Sequence, residues 1–209
     1  MPECEYSYSL TFRTPVSVFS GLGIAGLMDR TVVRDSKGVP YIPGSTVKGR
    51  LRFFAERLLR TTAVPPEYSI HKLDQPACKD IQTACTFCRI FGSPAISAQL
   101  SVGQAVLESR WSELFAQLLH VNRNPVVRSD TEVRPGIALS RLRRTAFPDH
   151  LFFDEAVPAI AFAGKLFLHT DRDLHFLISV GKLVDALGAR KAVGRGSLTG
   201  GVCIKGPTL

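Results

Sequence analysis

The sequence predicts an α+β domain, a ferredoxin-like core that carries insertions. Three observations predict it. Strand-type and helix-type periods follow one another in the order β–α–β…β–α–β. A Pro-rich segment bearing one His and three Cys interrupts the first half, and an Arg-rich segment of weak periodicity separates the halves. With 209 residues there is room for one packed domain with insertions and little for two, so residues 1–209 read as a single unit.

Residues 6–13 (YSYSLTFR) alternate and are rich in β-formers, which predicts an opening strand. A loop containing Gly21, Gly23 and Gly26 follows, then a short extended run at 30–34 and a turn at Asp35-Ser36-Lys37-Gly38. Ser45 is placed to cap a helix from Thr46 to Arg60, in which Val47, Leu51, Phe54, Ala55, Leu58 and Leu59 fall at helical spacing. Residues 61–98 read as a loop-like insertion, and a strand is predicted near 99–108. Residues 120–148 read as a second insertion. The run 151–168 reads as one or two strands around Pro158, residues 174–187 as a second amphipathic helix, and 201–205 as the last strand. The chain shows no internal repeat and no low-complexity tract.

Lys and Arg number 26 against 18 Asp and Glu, a net charge of +8 and a pI near 9.5. Such an excess suits a polyanionic partner, because each phosphate neutralised releases counterions. The cations cluster: Lys48, Arg50, Arg52, Arg57 and Arg60; then Arg123, Arg128, Arg134, Arg141, Arg143 and Arg144; then Arg190, Lys191 and Arg195. Arg outnumbers Lys in each cluster, which favours phosphate forks and stacking over mere solubility. A solvated basic face is the alternative that charge alone leaves open. The apolar runs fall short of a membrane span, and Pro2, Glu3 and Glu5 stand where a signal peptide has a basic region; a cytoplasmic protein with no membrane partner is expected.

His71, Cys78, Cys85 and Cys88 lie within eighteen residues in the pattern H-x6-C-x6-C-x2-C. Two thiolates from a Cys-x2-Cys turn, a third Cys and a His make up a closed tetrahedral Cys3His set, the donor set of a structural zinc site. The segment is too polar to fold alone, and metal binding would supply the missing folding energy. A disulfide is the rival reading but leaves a Cys unpaired in a reducing compartment; a redox pair at Cys85 and Cys88 lacks a thioredoxin-like setting. Cys4 and Cys203 read as ordinary small residues.

Gly44 and Ser45 bring backbone N–H groups to a helix start where Lys48, Arg50 and Arg52 add charge, an arrangement that a bound phosphate would explain. Near the end, residues 188–201 (GARKAVGRGSLTGG) form a Gly-rich basic loop in which Arg190, Lys191 and Arg195 stand beside glycines that permit close backbone approach. It lacks the P-loop order and, by itself, names no ligand.

Taken in order, these motifs resemble the RAMP superfamily of CRISPR proteins, and within it the repeated backbone subunit of type III complexes. The matching residues are 29–35 (DRTVVRD), 42–50 (IPGSTVKGR), 88–93 (CRIFGS), 151–155 (LFFDE) and the tail at 188–201. The Cys3His segment at 61–98 resembles the zinc-bearing insertion of some of these subunits.

The resemblance implies an RRM-like core with a β-hairpin thumb, which the Arg-rich 120–148 segment would supply. It implies crRNA, complementary target RNA, further backbone copies and other effector subunits as partners. Ser45, Lys48, Arg50, Arg52, Arg134, Arg141, Arg190, Lys191 and Arg195 would then contact RNA. Asp29 matches the position of the family's Asp that drives metal-dependent cleavage of target RNA, with a divalent cation, magnesium being the expected ion. The sequence departs from the family where an I-D-R-x-T-G segment is common: residues 137–145 read IALSRLRRT, without the acid. The chain also lacks the aromatic pairs with which RRM domains stack bases. Two other functions stay open here: a non-catalytic RNA-binding scaffold in such a complex, and a guide-RNA processing ribonuclease using a His base.

Overall fold

The alternation of the first segment is carried through in three dimensions. The computed structural model describes residues 4–121 and 130–206; Arg123, Arg128 and part of the insertion expected at 120–148 lie outside them. β1 (Cys4–Phe12) buries Tyr6, Tyr8, Leu10 and Phe12, the side chains of one strand face. It sits inside a five-stranded antiparallel sheet with β6 (Ala161–Leu168) on one side and β7 (Leu198–Lys205) on the other. β2 (Leu100–Val102) and β3 (Val106–Leu107) both pair with β6, giving the order β2-β6-β1-β7. The strand expected at 99–108 is therefore split. Between its halves Gly103 donates to Lys165 O, and Ala105 exchanges both backbone bonds with Ile42 at the entrance to the first helix.

That helix, α1 (Gly44–Thr61), begins earlier than its periodicity suggests. Pro43 occupies the cap position and no side chain caps the helix, so Ser45, the expected N-cap, lies exposed in the first turn. Val47, Leu51, Phe54, Ala55 and Leu59 face the core as predicted. α4 (Leu174–Leu183) packs against α1 and β7. It ends short of the expected Leu187 because residues 185–187 turn to pair with the chain entering β7: Leu187 N–H donates to Gly196 O and Leu198 N–H to Asp185 O. The last strand accordingly starts at Leu198 rather than 201.

Two helices were not read from sequence. α2 (Thr86–Phe91) lies inside the segment expected to be loop, and its Phe87, Ile90 and Phe91 join the main core. α3 (Ser109–Val121) packs through Phe115. α2, six residues long, is too short to give an apolar period; α3, at 13 residues, lies in a stretch between the predicted strand and the Arg-rich insertion for which no element is read. No described helix is long and apolar enough to cross a membrane.

β4 (Glu132–Ser140) and β5 (Thr145–Ala156) form a separate antiparallel hairpin. Residues 151–156 thus belong to the hairpin and β6 starts beyond Pro158, so the 151–168 run is two strands. The far end of the hairpin is exposed, with Leu139, Leu142 and Leu151 in solvent. Its root is buried: Ala156, Asp154 and Glu155 are at most 1% accessible. The free edge of β5 takes its hydrogen bonds from the loop after β1. Val16 and Val157 exchange both backbone bonds, Glu155 N–H donates to Arg30 O, and Asp29 N–H donates to Phe153 O.

Two glycines of α1 test this packing in opposite directions. A Cβ at Gly44 would lie 1.9 Å from Val102 O, so Gly44 is required for the helix start to meet the β2–β3 connection. A Cβ at Gly49 would meet nothing within 4 Å. Gly44→Ala is expected to lower stability by about 1–3 kcal/mol and Gly49→Ala to raise it by about 0.5–1 kcal/mol, both read from denaturant unfolding.

Candidate metal centre and nucleic-acid interface

The Cys-x2-Cys turn is folded as the start of α2, with Cys85 at its cap position and Cys88 in its first turn. The ligand atoms of His71, Cys78, Cys85 and Cys88 lie within 4.8 Å of one another. His71 Nδ1 is 3.6 Å from Cys85 Sγ and 3.4 Å from Cys88 Sγ. All five described cysteines are free thiols, so the disulfide reading is not the one the chain adopts. Burial pushes the Cys88 thiol up to about 12, while the Cys85 backbone N–H lowers Cys78. A cation amid four such donors would favour the thiolates, and the set fits a metal ion. Arg89 fastens the cluster to the fold through paired bonds of 2.7 and 2.8 Å to the buried Asp173 ahead of α4.

A second constellation stands at the hairpin root. Asp154 and Glu155 are neighbours on β5, so their side chains leave on opposite faces. Asp154 meets three arginines: Arg190 Nε at 3.1 Å, Arg30 Nε at 3.4 Å and an Arg195 guanidinium nitrogen at 3.5 Å. Phe152 adds a ring 4.4 Å from the Arg190 guanidinium and 5.6 Å from that of Arg30. On the other face Glu155 accepts from Arg34 at 2.5 Å, Thr131 at 2.6 Å and the Val32 N–H at 2.8 Å. Arg34 also donates to the buried Asp130. Burial alone would raise the Glu155 carboxyl; the bonds from Thr131 and Arg34 outweigh it and hold the carboxyl below its ordinary value.

Asp29 lies exposed at the same root. Its Oδ2 accepts the Phe153 N–H at 2.7 Å while its own N–H donates to Phe153 O. It flanks an open depression with Gly23, Met28, Leu151 and Phe153. A wider groove of about 640 Å³ runs between the hairpin and the Gly-rich tail, lined by Arg134, Phe152, Arg190, Gly194 and Arg195 among others. Arg134 pairs with Glu132 there.

The predicted binding residues therefore fall into separate groups. Asp29, Arg190 and Arg195 converge on residues 152–154 of β5, and Arg134 and Lys191 belong to the same hairpin and tail. Arg141 lies exposed in the turn at the hairpin's far end. Lys48 and Arg50 point elsewhere: Lys48 Nζ donates to Leu100 O at 2.7 Å, and Arg50 binds Ala186 O and Asp185, both at 2.9 Å. Burial, with Arg52 nearby, lowers the Lys48 ammonium. Arg52 stacks over Phe87 at 5.2 Å. Sequence reasoning missed the role of Asp154, Glu155, Arg30 and Arg34. The signal available was two acids inside an otherwise apolar strand run, residues 151–157.

Such an arrangement, an antiparallel α+β core with a hairpin whose root gathers arginines and a separate Cys3His cluster, has the basic surface of a nucleic-acid-handling domain. The RAMP superfamily model matches residues 9–199, so the chain belongs to the RAMP superfamily. Among solved structures it resembles a chain from a type III-B Cmr-beta complex bound to cognate target RNA, with a TM-score of 0.63, 12% identity and 96% of each chain covered. It also resembles a chain of a type IV-B CRISPR complex, with a TM-score of 0.60, 18% identity, and 98% of this chain and 92% of that one covered. No curated protein matches the sequence.

The Glu155 carboxyl is depressed in the fold, so its contribution is present above the unfolded value of 4.5 and is lost as pH falls through the lower folded value. Thermal melts taken through this acid window should lose stability in the wild type. Glu155→Gln should flatten that part of the profile and lower the melting temperature at neutral pH.

Proposed function

We propose that the chain is a crRNA-binding backbone subunit of a type III CRISPR ribonucleoprotein, and that it cuts complementary target RNA at Asp29. The observation that carries this reading is the position of Asp29: exposed, held by the backbone of Phe153, and next to the arginine-rich root of the hairpin. RAMP membership and the likeness to chains of CRISPR complexes support the choice of assembly. The sheet order β2-β6-β1-β7, with α1 and α4 as its two main helices, is the support for an RRM-like core; the β4–β5 hairpin is the proposed thumb. Partners follow from this reading: crRNA, target RNA, further copies of the chain and other subunits, in the cytoplasm.

Asp29 would act on the ribose of a displaced target nucleotide. Its carboxylate orients the 2′-hydroxyl and takes its proton as that oxygen bonds to the adjacent phosphorus; the 5′-oxygen leaves and is protonated, giving a 2′,3′-cyclic phosphate. A divalent cation, magnesium by proposal, would supply charge stabilisation on the phosphate when bound. Among the described residues Asp29 belongs to no group of three metal-ligating side chains, so RNA oxygens and water must provide most ligands, as is usual for magnesium. One observation favours a non-catalytic scaffold instead: the Oδ2 bond to Phe153 gives Asp29 a structural task. Zinc is the proposed ion of the Cys3His cluster, on the chemistry of its donors.

Asp29→Ala and Asp29→Asn complexes, assembled with guide and given complementary RNA and magnesium, should cut at least about 100-fold more slowly while eluting at the wild-type size. Unchanged cutting would return the chain to the scaffold reading. Purified protein should carry about one equivalent of zinc. Cys88→Ser should bring that below about half and lower the melting temperature.

A further inference from the structure

Asp154 does something that neither the arginine clusters nor Asp29 explains. It is a wholly buried carboxylate whose three partners come from two distant stretches of the chain: Arg30 from the loop after β1, and Arg190 and Arg195 from the tail. Those partners are not buried with it. Arg30 is 44%, Arg190 31% and Arg195 17% exposed at the side chain. With Arg134, four guanidiniums gather about two carboxylates, Asp154 and Glu132. Burial, then the repulsion of Arg190 and Arg134, lowers Arg195 against the attraction of Asp154. Without a central anion these cations would spread into solvent.

We propose that Asp154 is a positioning residue, which holds Arg30, Arg190 and Arg195 in fixed directions to receive the sugar-phosphate backbone of RNA. Three features favour a repeating phosphodiester over a small anion. The cations come from the loop after β1, the hairpin and the tail; the groove lined by Arg134, Arg190 and Arg195 is open to solvent; and a Cβ at Gly194 would meet nothing within 4 Å, so the backbone there can be approached closely. Guanidinium forks match phosphate oxygens when their planes are fixed. Asp154 Oδ2 accepts from Arg190 and Arg195 behind the groove, Oδ1 pairs with Arg30 by charge alone at 3.4 Å, and Phe152 stacks beside Arg190. The inference rests on the reading that the chain holds RNA, and it does not depend on Asp29 cutting.

The test turns on a sign. Asp154→Asn keeps the shape and adds one positive charge to the cluster, so electrostatics alone would tighten RNA binding. Positioning requires the opposite. Full-length chain titrated into a labelled single-stranded RNA oligonucleotide, read by anisotropy over a salt series, should bind about tenfold more weakly as Asp154→Asn. The slope of log affinity against log salt should shrink by about 0.7 for each arginine released. A circular dichroism melt confirms that the variant is folded. Arg190→Lys covers the case in which it is not: charge is conserved, the fork and the stack are lost, and weaker binding is again expected. Equal or tighter binding by either folded variant overturns the positioning role and leaves the RNA-binding reading standing. A wild-type chain with no affinity for the oligonucleotide overturns both.

Discussion

Two neighbouring carboxylates, Asp154 and Glu155, are carried into the interior by one strand, and the molecule is arranged to meet them. Burying a charge is tolerable only when it is paired and hydrogen-bonded, and stripping one partner from such a pair costs about 3–5 kcal/mol. Because the two side chains leave β5 on opposite faces, they recruit different parts of the chain. Asp154 draws in Arg30 and the tail arginines, while Glu155 draws in Arg34, Thr131 and the Val32 N–H. The loop after β1, the hairpin root and the tail reach the core at only a few apolar residues, among them Val16, Val32, Val157 and Leu198. These ion pairs, together with the backbone bonds along the edge of β5, join them.

Much of the core was legible because its signals are periodic. β1 alternates, α1 repeats its apolar positions at helical spacing, and α4 does so over a shorter span; each element lies where the pattern put it. The ends moved for tertiary reasons. α1 starts at Gly44 because only glycine allows the helix to touch Val102, so the glycine read as an opening for phosphate is a packing residue. α4 stops early because residues 185–187 have β-type partners at Gly196 and Leu198 that a sequence window does not contain. The Cys3His donors were legible from chemistry alone, since their spacing needed only a turn to bring them together.

The acids at the hairpin root were not legible, for a different reason. Residues 151–157 (LFFDEAV) read as strand, and two acids inside an apolar run are the one local sign of their burial; what meets them is not local. Their burial depends on cations far away in the sequence, 36 residues on for Arg190 and 121 back for Arg34. The same non-local logic governs the basic residues. Arg50, equal to Arg190 in composition, is held by Ala186 O and Asp185, whereas Arg190 lines the groove. Charge clusters counted along the chain cannot separate these fates.

Asp29 shows what this organisation means for function. Its backbone N–H and its side-chain oxygen both bind Phe153, the residue before Asp154. Arg30, the residue after it, is paired to Asp154 itself. The placement of Asp29 is thus set by the hairpin root on one side, the arginine cluster on the other, and the close approach of Gly23 to its backbone. A change that shifts the root moves Asp29 and the groove arginines together, because one stretch of β5 holds both. RNA held by those arginines would bear on the same few residues that hold Asp29. Hairpin, groove and Asp29 loop therefore meet at one stretch of β5, although they come from three separate stretches of sequence.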